Sequence, residues 1–251
     1  MMRTMLTAAA VVALCCGTAM AEGWGSLTGR FVYDGEAPAP AKVVLEKPDD
    51  IQNFGNANLT DDTLLVGSEG GLANVVVYLR TKKVDVHPSY DNVAAQVMYD
   101  NRGARFVPRI VTLWLDKQTV VLGNADPVAH NTNVQPLGDV GINPLLSPNQ
   151  AFEHTFKRAQ NVPVSVGCNI HPWMKGYILP RDNPYATVSA EDGTFTIENL
   201  PAGELEFQAW QEKSGYLEAE GWKKGRFTLT IEDGQTTDLG TITLDPKLFE
   251  K

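Results

Sequence analysis

Apolar positions in this chain recur with a period of two. Over residues 204–210, Leu205, Phe207 and Ala209 fall on one face, with Glu206 and Gln208 between them. That alternation is the mark of a strand with one buried side. Runs of the same kind over residues 27–33, 74–80, 110–115, 119–122, 162–166, 194–197, 226–231 and 241–244 predict further strands. Asp34-Gly35, Asp192-Gly193, Asp233-Gly234 and Pro201-Ala202-Gly203 stand between runs as tight-turn signals. Short helices are suggested only at 49–54 and 92–97. With 15 Pro and few long helical periods, the pattern predicts an all-β fold, a sandwich rather than an α/β architecture.

The N-terminus changes the picture. Arg3, the apolar run 8–16 and the small-x-small sequence Ala19-Met20-Ala21 predict an export signal over residues 1–21. The run is too short to span a bilayer comfortably. Cys15 follows Leu14 and Cys16 follows Cys15, whereas a lipoprotein signal places a small residue before its modified Cys. No later segment has the length or apolarity of a membrane helix, so the expectation is a periplasmic or secreted protein with no integral membrane segment. Removal of the signal leaves about 230 residues, enough for one large β domain or two small ones. It also takes away Cys15 and Cys16, leaving Cys168 as the only thiol. No intramolecular disulfide is then possible. A lone thiol in an oxidising compartment is a liability unless something such as a metal occupies it. Loss of Arg3 makes the formal charge of −9 one unit more negative. This balance argues against a nucleic-acid partner, which calls for clustered Lys and Arg; it favours a basic redox partner by electrostatic steering.

The chemistry concentrates in Gly167-Cys168-Asn169-Ile170-His171-Pro172-Trp173-Met174, with His130-Asn131 upstream. One thiolate, two imidazoles and one thioether are the donors of a mononuclear type 1 copper site: two His and one Cys in a trigonal plane, a weak Met on the axis. The Cys-x2-His-x2-Met spacing brings three of them from one tight loop, and His130 supplies the fourth. Zinc fits such a cavity less well, since its structural sites take four strong tetrahedral ligands. The plain alternative for Cys168 is a small buried hydrophobe. Against it stand the exported context and the His and Met at +3 and +6. Alternation through Val162, Val164 and Val166 points the Cys168 sulfur to the same apolar face. His87 and His154 read as ordinary histidines, with His154 on an exposed strand. Four His without a His-x-His pair do not make a trinuclear copper centre, and neither Gly-x-Ser-x-Gly, His-Glu-x-x-His nor a phosphate loop is present; an enzyme is not supported.

Residues 86–182 resemble a cupredoxin. Phe106-Val107-Pro108, the runs 110–115 and 119–122, Asn124-Ala125-Asp126 before His130-Asn131, the stretch from Pro148-Asn149-Gln150 to Phe156, and the strand into Cys168 all follow that pattern. The ligand loop is as short as the amicyanin type and, like it, has Pro after the second His. The resemblance implies copper held by His130, Cys168, His171 and Met174. It further implies that Asn131 ties the two ligand loops by hydrogen bonds, which orients ligands. Pro172 and Trp173 would form an apolar patch around an exposed edge of His171, where electrons pass to a redox partner such as a cytochrome. Val166 and Gly167 depart from the family, which often carries an aromatic two residues before the Cys. The flanks, 22–85 and 183–251, resemble a transthyretin-like module of the carboxypeptidase regulatory kind, on residues 26–38, 72–79, 187–210 and 226–244. The expected arrangement is a cupredoxin Greek-key sandwich inserted in, or in tandem with, that module. Electron transfer is the expected activity. The other readings are copper binding and delivery, and a structural or carbohydrate-binding surface module stabilised by the metal; both sandwich types host many functions.

Overall fold

The computed structural model describes residues 23–250, and the expected export signal lies outside the described residues. The fold is nearly all β, and α1 (Pro48–Phe54) is the single α-helix among the described residues. None of their helices is long and apolar enough to cross a membrane.

Two sheets come from the ends of the chain. In the first, Trp24–Tyr33 lies between Thr194–Pro201 and Thr236–Leu244. Every second residue of Trp24–Tyr33 is buried, so Leu27 and Phe31 point inward. The second runs in the order Ala186–Val188, Val76–Leu79, Gly203–Gln211, Gly215–Tyr216, with Arg226–Ile231 also pairing with Gly203–Gln211. The inward faces of these sheets share one core containing Leu27, Phe31, Val77, Leu79, Phe195, Phe207 and Leu244.

The middle of the chain builds two four-stranded sheets. One has the order Ala151–His154, Thr119–Asn124, Gln96–Asn101, Phe106–Val107. The other has the order Ile110–Trp114, Lys175–Arg181, Val164–Gly167, Asn133–Val134. Tyr99, Phe106, Leu122, Val166, Cys168, Met174 and Ile178 lie in the core between them, as do Phe54 and Leu59 from the N-terminal third.

Val76–Leu79 is buried along its whole length. Val77 and Leu79 face the first core. Val76 and Tyr78 pack instead with Ile110, Leu179 and Trp210 in a smaller cluster that joins the end sheets to the middle ones. Polar groups reinforce the join. Arg109 donates twice to Glu212, at 2.8 and 2.6 Å. Arg181 donates to the carbonyls of Leu79 and Gln160 and lies over the Tyr78 ring.

Three local expectations differ from the structure. Residues 92–97 do not form a helix: a 3-10 turn spans Pro88–Asn92 and is followed by the strand Gln96–Asn101. Pairing with Thr119–Asn124 wins there, because it buries Tyr99 completely. The strand leading to Cys168 begins at Val164, and Val162 is exposed at 39%. The third is Lys175–Arg181, a seven-residue strand that the sequence did not signal. Gly176 and Pro180 sit inside it, yet it pairs with Ile110–Trp114 on one side and Val164–Gly167 on the other.

Candidate metal centre

The strand pairing sets the site. Val164–Gly167 and Lys175–Arg181 form an antiparallel hairpin whose last register pair is Gly167 with Lys175. Residues 168–174 are therefore the hairpin loop, tightened by Met174 N–H donating to the His171 carbonyl at 2.9 Å. On its other edge, Val164–Gly167 pairs with Asn133–Val134, which brings His130-Asn131 to the same end of the sheet. His130 and Asn131 are themselves fixed against Leu146 and Leu145.

His130, Cys168 and His171 converge there, with their ligand atoms all within 4.8 Å of one another. The Cys168 Sγ lies 3.9 Å from His130 Nδ1 and 3.7 Å from His171 Nδ1. The two Nδ1 atoms are 2.9 Å apart. All three residues are buried. Burial pushes the Cys168 thiol up, but hydrogen bonds from His130, His171 and the Asn131 region outweigh it and bring the thiol down to about 5. At neutral pH it is a thiolate, the form that binds metals.

Each imidazole has a carboxylate behind it, hydrogen-bonded at His130 and in ion-pair contact at His171. His130 Nε2 lies 2.9 Å from Asp126 Oδ2, and His171 Nε2 lies 3.3 Å from Asp50 Oδ1. Asp126 is anchored in turn by the backbone N–H groups of Gly103 and Ala104. Burial raises the Asp126 carboxyl, but its bonds to His130, Ala104 and Gly103 hold it below the usual range. Burial lowers His130, but its bonds to Asp126 and Cys168 leave it raised. A carboxylate at Nε2 selects the tautomer with the proton on that nitrogen. The Nδ1 sides of both rings then face each other and the sulfur, where a shared proton bridges these atoms in the metal-free protein and a cation would take its place. The donor set and its burial fit copper, which takes imidazole and thiolate together.

Asn131 stands between the ligand segments. Its side-chain oxygen accepts from the backbone N–H groups of Asn169 at 2.8 Å and Ile170 at 3.3 Å, and its amide donates to Asn143. Met174 is 1% exposed and packs in the same core as Cys168. Pro172 is exposed and Trp173 half-buried, its ring 5.3 Å from that of His171. They line a cleft of about 360 Å³ together with Met174, Lys42, Leu59 and Arg105. The expected exposed edge of His171 is absent. His171 is 3% exposed, because Asp50 occupies its Nε2 and the Phe54 ring stands edge-on to it at 5.7 Å. Asp50 and Phe54 escaped the sequence reading, since only the tertiary fold carries them to the loop. Asp126 was seen only as part of a motif, although its position four residues before His130 is a local signal. His154 lies on a mostly exposed strand, and His87 caps the Pro88–Asn92 turn.

No protein-family model matches the chain, and no curated protein matches its sequence. Among solved structures, it is similar to a copper-containing nitrite reductase from Thermus scotoductus SA-01 at 22% identity and a TM-score of 0.32. That match covers 39% of this chain and only 27% of the reductase. A purple cupredoxin from Nitrosopumilus maritimus matches at 24% identity and a TM-score of 0.29, over 35% of this chain and 100% of that one. Amicyanin from Paracoccus versutus matches at 20% identity and a TM-score of 0.31, over 42% of this chain and 97% of that one.

Proposed function

We propose that this chain is an exported type 1 copper protein that passes single electrons between partners. The observation that carries the proposal is the convergence of one thiolate and two imidazole Nδ1 atoms whose opposite nitrogens each face a carboxylate. Copper bound by such donors supplies a one-electron couple. Cys168 would hold the copper as its thiolate ligand together with the His130 and His171 imidazoles, and the Met174 thioether would be the fourth, weaker donor. The chain's own part is to hold these groups still. Strand pairing fixes both ends of the ligand loop and Asn131 pins its first turn at Asn169 and Ile170, so little rearrangement accompanies a change of charge. Burial of all three donors favours retention over delivery, which would require ready exchange. Pro172 and Trp173 are the place for contact with a redox partner such as a cytochrome, the donor or acceptor outside the cytoplasm. The ends of the chain share one core, and we read them as a transthyretin-like sandwich into which the metal-bearing segment is inserted.

The test is the visible absorption of purified protein with copper added, before and after a mild reductant. An intense thiolate charge-transfer band that bleaches on reduction and is missing in Cys168→Ser is the expected result. A copper-loaded protein without that band, or a Cys168→Ser variant that keeps it, overturns the proposal.

A further inference from the structure

The donors of the centre lie between residues 130 and 174, but part of its enclosure comes from far earlier in the chain. Residues 41–61 leave the N-terminal sheet and return on themselves, closed at the base by Val43 N–H donating to the Leu59 carbonyl and Asp61 N–H to that of Ala41. At the tip sits α1. Its only buried residues are Asp50 and Phe54, four apart and therefore on one helical face. That face meets the site. Asp50 is 5% exposed, with its carboxylate 3.3 Å from His171 Nε2, and the Phe54 ring lies 5.7 Å from His171 and 6.2 Å from His130. On the outer side Ile51 is 52% exposed. Lys47, at the start of the helix, donates to the Ile170 carbonyl at 2.9 Å and so ties α1 to the ligand loop itself.

We infer that α1 is a built-in cap of the metal centre and that Asp50 is a positioning residue, holding the His171 ring by Nε2 so that Nδ1 stays turned toward Cys168 and His130. A buried carboxylate is costly unless it is paired, and His171 is the partner that α1 brings it to. An aromatic wall beside the imidazoles keeps water from competing for the same nitrogens. The cap closes the His171 edge to partners and to small external ligands, leaving Pro172 and Trp173 as the exposed part of the loop beside the centre. The inference rests on the proposed function for the identity of the metal, but not for the contact itself.

Two measurements on the full chain separate the inferences. In the metal-free protein, nitrogen NMR should find His171 with its proton on Nε2 and that N–H protected from solvent exchange. Asp50→Ala should lose the protection, and Asp50→Asn should restore part of it, because the amide oxygen still accepts from Nε2–H. A structural role alone does not move this signature. In the copper-loaded protein, Asp50→Ala should bind copper about 10- to 100-fold more weakly in competition with a chelator, with Asp50→Asn between it and the wild type. A wild type that shows the thiolate band while Asp50→Ala keeps both the His171 N–H protection and the copper affinity overturns the cap. A wild type without the band overturns the copper proposal, and the NMR comparison then decides the cap by itself: a protected N–H lost in Asp50→Ala upholds it, and an unprotected N–H in the wild type overturns it.

Discussion

Asn131 and Asn169 join the two segments that carry the donors, the Asn131 side-chain oxygen accepting from the Asn169 backbone N–H at 2.8 Å. The same oxygen takes a longer bond from Ile170 N–H at 3.3 Å and lies 3.4 Å from the Cys168 sulfur. One buried side chain thus fixes the direction in which the loop leaves its strand. Asn131→Ala removes the acceptor and leaves these donors without their partner. The expected cost is about 1 kcal/mol of stability in the metal-free protein, read from the denaturant midpoint. Amide exchange should speed up at Asn169 and Ile170 while the Trp24–Tyr33 strand is unaffected.

The Arg109–Glu212 pair tests how far the middle sheets depend on the ends of the chain. The Arg109 side chain is 14% exposed and that of Glu212 7%, so breaking the pair strands a charge with little water to receive it. Glu212→Ala should destabilise the protein by about 3–5 kcal/mol. Replacing both partners by apolar residues of similar size, as in Arg109→Met with Glu212→Leu, should recover most of the loss, since neither charge is then left buried alone. Urea unfolding of the single and double variants measures both. A double variant no better than Glu212→Ala would show that Arg109 matters for other contacts.

What was legible in the sequence follows from range. The strand Arg226–Ile231 stands out with its full bounds, because its alternation and flanking turn signals are local. The loop from Cys168 to Met174 rests on an equally local signal, since its proposed donors lie within one turn of chain. Lys175–Arg181 is not, because Gly176 and Pro180 break its pattern and the strand is held by two neighbours from elsewhere. Gln96–Asn101 depends in the same way on Thr119–Asn124. Asp50 is the clearest case. Nothing near it in sequence distinguishes it from Asp49, and only the fold makes one of them a neighbour of His171 while the other stays exposed.

The two glycines that flank the ligand hairpin should respond oppositely to a methyl group. At Gly167, a Cβ meets nothing within 4 Å, and the residue lies in a strand without a positive φ. Gly167→Ala should therefore fold normally and gain about 0.4–1 kcal/mol by restricting the unfolded chain. At Gly176, a Cβ would fall 2.7 Å from the Arg109 carbonyl oxygen and would also collide with the Tyr99 hydroxyl. Tyr99 is fully buried and has no room to retreat. Gly176→Ala should cost several times what Gly167→Ala gains, about 1–3 kcal/mol as an overpacked core site. Thermal melts of the two metal-free variants compare them directly. If Gly167→Ala is the more damaging, the departure from an aromatic at this end of the strand reflects a constraint beyond local space.

Met174 separates packing from coordination. It is 1% exposed in the core that also holds Cys168, Val166 and Ile178, so a packing role alone would account for its burial. Met174→Leu keeps volume and apolarity, and should change the stability of the metal-free protein by less than about 1.5 kcal/mol. As a ligand, however, the thioether would donate electron density to a bound copper, and the more highly charged copper state would benefit more from it. Leucine leaves the site drier and poorer in donors, which disfavours Cu(II). The expected outcome is a higher reduction potential with the thiolate band retained, since Cys168, His130 and His171 remain. Redox titration of both proteins under the same buffer checks this. A potential equal to that of the wild type would remove Met174 from the centre and leave it as core packing beneath a three-donor site.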